Sequence, residues 1–156
     1  MKILAIVLAA LAFFWIVVIA VFERLAPKAL VRWYRGHVGA PLFRGSAGMF
    51  PGWAVIETTG RRTGKRRLTP VGARRQGDTI WVVAGHDWRP DYLYNIEANP
   101  DVRVRTRGRW HEGRASLCPE DDARRRAMWT NPINGIFVRI ACANLVTLRV
   151  DLEPRR

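Results

Sequence analysis

The sequence predicts a mainly β domain with helices (α+β), a small barrel with helices at its margins, preceded by an N-terminal transmembrane helix. Three observations predict it. Short runs rich in Val, Ile, Thr and Trp recur from Trp53 to Leu152, separated by Gly-Asp, Asn-Pro and Gly turn signals. Their connections are mostly short and antiparallel in the order β-β-β-α-β-β-α-β, which argues against a βαβ sheet and for a barrel. Ahead of them, Ile3 to Phe22 is an unbroken run of twenty residues with no charged or hydrogen-bonding side chain except the Trp15 indole.

As a helix that run reaches about 30 Å, the thickness of a bilayer's hydrocarbon core. A secretory signal peptide has a shorter apolar stretch followed by a small-x-small cleavage site. Here Phe22-Glu23-Arg24-Leu25 follows instead. Only Lys2 precedes the run, whereas Arg24, Lys28, Arg32 and Arg35 follow it, so the positive-inside rule puts the rest of the chain in the cytoplasm. The expected organisation is an anchor over 1–22, a juxtamembrane helix and loop over 23–52, and the barrel domain over 53–156. The basic stretch carries Leu30, Val31, Trp33 and Tyr34. It suits either an interfacial helix on an anionic leaflet or a solvated helix packed on the domain. Gly36 to Gly52, rich in Gly and Pro, reads as a connecting loop that folds back through Leu42, Phe43, Met49 and Phe50.

The first strand is Ala54–Thr59, stopped by Gly60. Arg67–Arg74 is the second, Gln76-Gly77-Asp78 a turn, and Thr79–Ala84 a third, almost wholly apolar and so expected to be central. Asp91–Ala98 has helical spacing and ends at Asn99-Pro100. Val102–Arg107 alternates Val and Arg, predicting one buried face and a solvated face of Arg103, Arg105 and Arg107. Gly108 turns it into Arg109–Ser116. Cys118-Pro119-Glu120-Asp121-Asp122 reads as a helix start with proline at the first helical position. Leu145–Leu152 is the last strand. Trp81, Trp88 and Trp110 read as core or rim aromatics.

Composition narrows the chemistry. With 49% hydrophobic and 25% charged residues in 156, disorder and low complexity are excluded. A net charge of +13 calls for an anionic partner or surface. Cys118 and Cys142 make no disulfide framework or metal-spaced cluster, which fits a reducing compartment. His37, His86 and His111 lie in no zinc motif, so no metal is expected, and there is no G-x-S-x-G elbow. An enzyme of this composition needs a cofactor to bring the reactive atom.

The densest signal is Gly60-Arg61-Arg62-Thr63-Gly64-Lys65-Arg66-Arg67, with five basic residues in seven positions between two strands. It is not a Walker A loop, because Gly60 and Gly64 are too close and Arg66 stands where Ser or Thr must hold magnesium. It suits an extended polyanion gripped by Arg forks and backbone N–H groups. A plain solvated basic hairpin is the alternative.

Thr59-Gly60-Arg61-Arg62-Thr63-Gly64-Lys65-Arg66-Arg67-Leu68-Thr69-Pro70 resembles the T-G-R-x-[ST]-G-x-x-R-x-[ST]-P run of actinobacterial deazaflavin-dependent nitroreductases and quinone reductases. Ala84 to Pro100, a strand, a loop and an aromatic-x-x-Asn helix ending in Asn-Pro, is similar to that family's next block, and Val146 to Pro154 to its closing strand. The resemblance implies a split β-barrel, FMN-binding-like, with reduced coenzyme F-420 (8-hydroxy-5-deazaflavin) as hydride donor. It implies that Arg61, Arg62 and Thr63 hold the phosphate and glutamate tail. Arg67, Leu68, Thr69, Pro70, Val71 and Gly72 would line phosphate and ring. Val83, Ala84, Gly85 and His86 would approach the ring, with Asp91, Tyr92, Leu93, Tyr94 and Asn95 closing over it. Candidate proton sources are His86, Tyr92 and Tyr94. The chain departs from the family in having no tyrosine between Ala127 and Asn144.

The reading is a membrane-anchored oxidoreductase, single-pass at the cell membrane with its catalytic domain cytoplasmic. It passes hydride from the reduced coenzyme to a lipophilic, menaquinone-like quinone or to another electron-poor acceptor such as a nitroaromatic. It acts as monomer or homodimer, with no nucleic acid partner. The alternatives are an FMN-dependent split-barrel reductase or oxidase, and a non-enzymatic membrane-tethered basic module binding nucleic acid or anionic lipid.

Overall fold

A computed structural model describes residues 2–34, 37, 47–85, 90–142 and 144–154. Helix α1 runs over Lys2–Leu25 and α2 over Lys28–Tyr34, with Phe22 and Tyr34 meeting edge to face at 6.3 Å across the elbow. The strands are β1 (Trp53–Thr59), β2 (Arg66–Gln76), β3 (Thr79–Gly85), β4 (Asp101–Thr106), β5 (Arg109–Cys118) and β6 (Leu145–Leu152). Helix α3 (Asp91–Ala98) joins β3 to β4, and α4 (Ala123–Thr130) and α5 (Pro132–Ala141) lie between β5 and β6.

All six strands pair antiparallel into a closed barrel, β1-β2-β3-β6-β5-β4. Alternate residues point inward, so Ile56, Ile80, Val82, Val104, Leu148 and Val150 form a core with no exposed surface. Leu93 and Ile96 of α3 join that core, which pins the helix over one end. A second cluster lies outside the barrel, where Val83 packs beneath Ala127, Val138 and Cys142 of the α4–α5 unit.

Several expectations are corrected. Closure leaves no edge, so β3 is not more central than its neighbours. Strand β4 stops at Thr106, because Arg107 adopts φ 49 in a tight turn with Gly108. The expected helix start at Cys118 is the end of β5. The helix begins at Ala123 instead, capped by the Asp122 carboxylate accepting from the Arg125 N–H at 3.1 Å. Helix α5 was not expected at all. Asn131 caps it through the Asn134 N–H, Pro132 opens it, and a Cβ on Gly135 would come 2.7 Å from the Ala127 carbonyl oxygen. That glycine lets α5 lie against α4.

Taken over the described side chains, no helix is long and apolar enough to cross a membrane. Helix α1 leans on α5, where Arg24 Nη1 donates to the Ile140 carbonyl at 3.3 Å. Most of the loop expected over Gly36–Gly52 lies outside the described residues; where it is described, Ala47 and Gly48 are buried, but Met49 and Phe50, expected to fold back, are exposed.

Asp121 links three elements. Its carboxylate takes two bonds from Arg126 of α4 (3.0 and 2.7 Å) and one from the buried Thr147 hydroxyl of β6 (2.7 Å). Arg126 in turn lies 4.1 Å over the Trp81 ring. The Arg126 hydrogen bonds, outweighing partial burial, hold the Asp121 carboxyl below the ordinary carboxylate range. Stability from a depressed carboxyl is complete above the unfolded pKa, near 4, and is lost as pH falls through the folded one. Asp121→Asn is therefore expected to cost about 1–3 kcal/mol at neutral pH. In urea unfolding the gap to the parent chain narrows below about pH 4; a gap constant with pH contradicts this linkage.

Candidate functional site

The β1–β2 connection is folded by its own backbone. The Gly60 N–H donates to the Lys65 carbonyl at 2.9 Å. The Gly60 carbonyl accepts from Thr63 N–H (3.2 Å) and Gly64 N–H (2.8 Å). Gly64 sits at φ 65, where other residues are strained. The Lys65 N–H points at Thr63 Oγ1, 3.4 Å away. Most backbone N–H groups of the loop thus serve its own fold. The N–H groups of Gly60, Arg61, Thr63, Gly64 and Lys65 are occupied in this way, so any grip on an anion falls mainly to the arginine side chains.

Helix α3 fixes the loop from the side. Asn95, only 4% exposed, donates through Nδ2 to Thr58 Oγ1 of β1 at 3.1 Å. Its Oδ1 accepts the Arg61 backbone N–H at 3.1 Å. Both ends of one buried amide are thus used, the geometry that makes its removal costly.

Between loop, β2 and α3 opens a cleft of about 740 Å³, lined by Gly60, Arg61, Arg62, Thr63, Arg66, Arg67, Leu68, Thr69, Asp91, Tyr92 and Asn95. Four guanidinium groups face one carboxylate. Arg66 is engaged by Glu57 (3.0 Å), which also holds Arg103 (3.4 Å). Arg61 reaches across to α3, within 3.4 Å of the Asp91 carboxylate and 4.8 Å over the Tyr94 ring. Among the described residues no hydrogen bond or ion pair engages the Arg62 or Arg67 guanidinium, and both residues are exposed.

Of the residues the sequence singled out, Arg61, Arg62, Thr63, Arg67, Leu68, Thr69, Asp91, Tyr92 and Asn95 meet at this cleft. Others lie elsewhere. Pro70 and Gly72 face outward on β2, with Gly72 against Asn134 of α5. Val71, Ala84 and Leu93 are in the barrel core, and Val83 is under α4 and α5. Gly85 packs against Leu145, Val138 and Cys142. Tyr94 is half exposed beneath Arg61, and His86 lies outside the described residues. Gly60 and Arg66 are the lining residues absent from the sequence-derived candidates, although both stand in the same basic run.

The arginine face expected on β4 is corrected too. Arg103 and Arg105 are half-buried, lying 5.0 and 5.5 Å over the Trp110 ring, so of the three only Arg107 is exposed. Burial and the neighbouring Glu120 and Asp121 charges push the Cys118 thiol up, which disfavours the thiolate. Among the described residues no group of His, Cys, Asp and Glu is placed to hold a metal ion.

Fold and site together define a small antiparallel barrel with an arginine-lined cleft. The chain belongs to the F420H(2)-dependent quinone reductase family, whose model matches residues 28–136, more than half of it. F420H(2)-dependent quinone reductases of Mycobacterium tuberculosis strains H37Rv and CDC 1551 are each 34% identical over 47% of this chain. The chain spans 60% of the length of these curated relatives. Among solved structures, a domain-swapped dimer aligns at TM-score 0.54 with 18% identity, covering 81% of this chain and all of that one. The F420-H2 dependent reductase FDR-A aligns at 0.52 with 21% identity, covering 64% of this chain and 94% of that one. These likenesses match the fold expected from the sequence, a split barrel.

Replacing Asn95 by Ala unties the loop from helix and strand. The variant is expected to lose about 1–3 kcal/mol in denaturant unfolding, with faster hydrogen exchange at the Arg61 amide. An Arg61 amide as protected as in the parent chain contradicts the tie.

Proposed function

We propose that the protein is a deazaflavin-dependent oxidoreductase that binds reduced coenzyme F-420 in this cleft and reduces a quinone. The observation that carries the reading is the pair Arg62 and Arg67, exposed guanidinium groups without a partner among the described residues, on a cleft of about 740 Å³. Two free forks suit a phosphodiester and carboxylate tail, whose oxygens take bidentate bonds. The donor set therefore fits the coenzyme. The family match points to the deazaflavin and gives the FMN alternative no support.

The coenzyme, when bound, supplies the hydride; the chain supplies grip, alignment and exclusion of water. Arg62 and Arg67 take the anionic tail, and the Asn95-tied loop holds them in place. Leu68 gives the cleft an apolar flank, and buried Tyr92 closes its helix side. The Tyr92 phenol is the proton source we favour, because it borders the cleft while Tyr94 is stacked beneath Arg61.

The acceptor we favour is a lipophilic quinone rather than a nitroaromatic, since the relatives are named for quinone reduction. Helix α1 would keep the barrel at the cytoplasmic face of the membrane where such a quinone resides. Its uncharged twenty-residue run and its exposed Phe13, Phe14, Trp15 and Phe22 support this placement.

Fluorescence titration of the full chain with the coenzyme tests the reading. Arg62→Gln and Arg67→Gln are each expected to weaken binding about 10- to 100-fold while the thermal melt is unchanged. Anaerobic turnover is expected with a menaquinone-like acceptor. Tighter binding of FMN than of the deazaflavin contradicts the assignment.

A further inference from the structure

Arg61 differs from the other cleft arginines in what its two ends do. Its backbone N–H is fixed on buried Asn95 at 3.1 Å. Its side chain, 28% exposed, reaches the Asp91 carboxylate, the Asp91 carbonyl and Asn95 Oδ1, each at 3.4 Å. Those contacts are long for N–H···O bonds. Asp91 is 90% exposed, so its ion pair is screened and weak. Arg61 therefore has a fixed pivot and a loosely held fork. Asp91 is also the lone carboxylate among the cleft-lining residues.

We propose that Asp91 is an internal counter-ion that holds the Arg61 fork across the cleft until the phosphate group of the incoming ligand displaces it. This rests on the reading of the cleft as the seat of an anionic coenzyme tail. Phosphate offers two oxygens to the guanidinium in place of one distant carboxylate oxygen, so exchange favours the ligand. A weaker or singly bonded anion gains less than it displaces. Asp91 thus acts through Arg61 as a specificity-determining residue, raising the threshold of charge that a ligand must carry.

The test is calorimetric titration of the full chain, in detergent, with inorganic pyrophosphate. Asp91→Asn is expected to bind it about five-fold more tightly than the parent chain, the scale of one exposed ion pair. Asp91→Glu keeps the parent affinity. In an Arg61→Gln background the Asp91→Asn change has no effect; Arg61→Met serves as the background if the glutamine variant does not fold. Unchanged or weaker binding by Asp91→Asn overturns the proposal, as does absence of pyrophosphate binding by both chains. Equal tightening with and without Arg61 also overturns it, because the carboxylate then acts only through its field. Titration with the coenzyme separates the two claims. A parent chain that binds pyrophosphate with the predicted Asp91 dependence but does not bind the coenzyme sinks the functional reading and leaves the counter-ion standing.

Discussion

One buried amide organises the functional end of this barrel. Asn95 is held in place because Leu93 and Ile96 on the same short helix are core residues. From there it reaches the last turn of β1 through Thr58 and the following loop through the Arg61 N–H. Packing of an apolar helix face is thereby converted into the position of a polar loop. Without that link the loop keeps its internal Gly60–Lys65 hydrogen bonds and only the long contacts of the Arg61 side chain to Asp91.

The loop's electrostatics follow from which arginines are already satisfied. Glu57 neutralises part of the basic run by binding Arg66 and Arg103, and Asp91 meets Arg61. Arg103 and Arg105 spend their guanidinium faces on Trp110, and Arg126 on Trp81. Much of a net charge of +13 is thus structural. A basic composition alone suggests a nucleic-acid or lipid module; at the cleft itself, setting aside the engaged Arg61 and Arg66 leaves Arg62 and Arg67 facing it.

Strands with clear turn signals were legible in the sequence. So was α3, whose bounds follow from its apolar spacing and the Asn99-Pro100 stop. The anion loop stood out because charge and glycine coincide there. Helix α5 was hidden by Gly135 and by β-branched residues, which lower helical propensity; its packing on α4 decides the matter. Asn131-Pro132 was a cap signal that could have found it. The Cys118–Asp122 start misled because Asp121 serves Arg126 and Thr147, a tertiary role no local pattern encodes. Likewise, alternation on β4 could not reveal that Trp110 on the next strand covers two arginines. Asn95 was legible only through family resemblance, which gave its place at the site but not its role as a tie.

The most direct test of the account is hydrogen exchange of the full chain with and without the coenzyme. Slower exchange confined to the Gly60–Arg67 loop and to α3 is the predicted result. Protection elsewhere on the barrel, with that loop exchanging as fast as before, contradicts the claim that the arginine cleft is where the coenzyme is held.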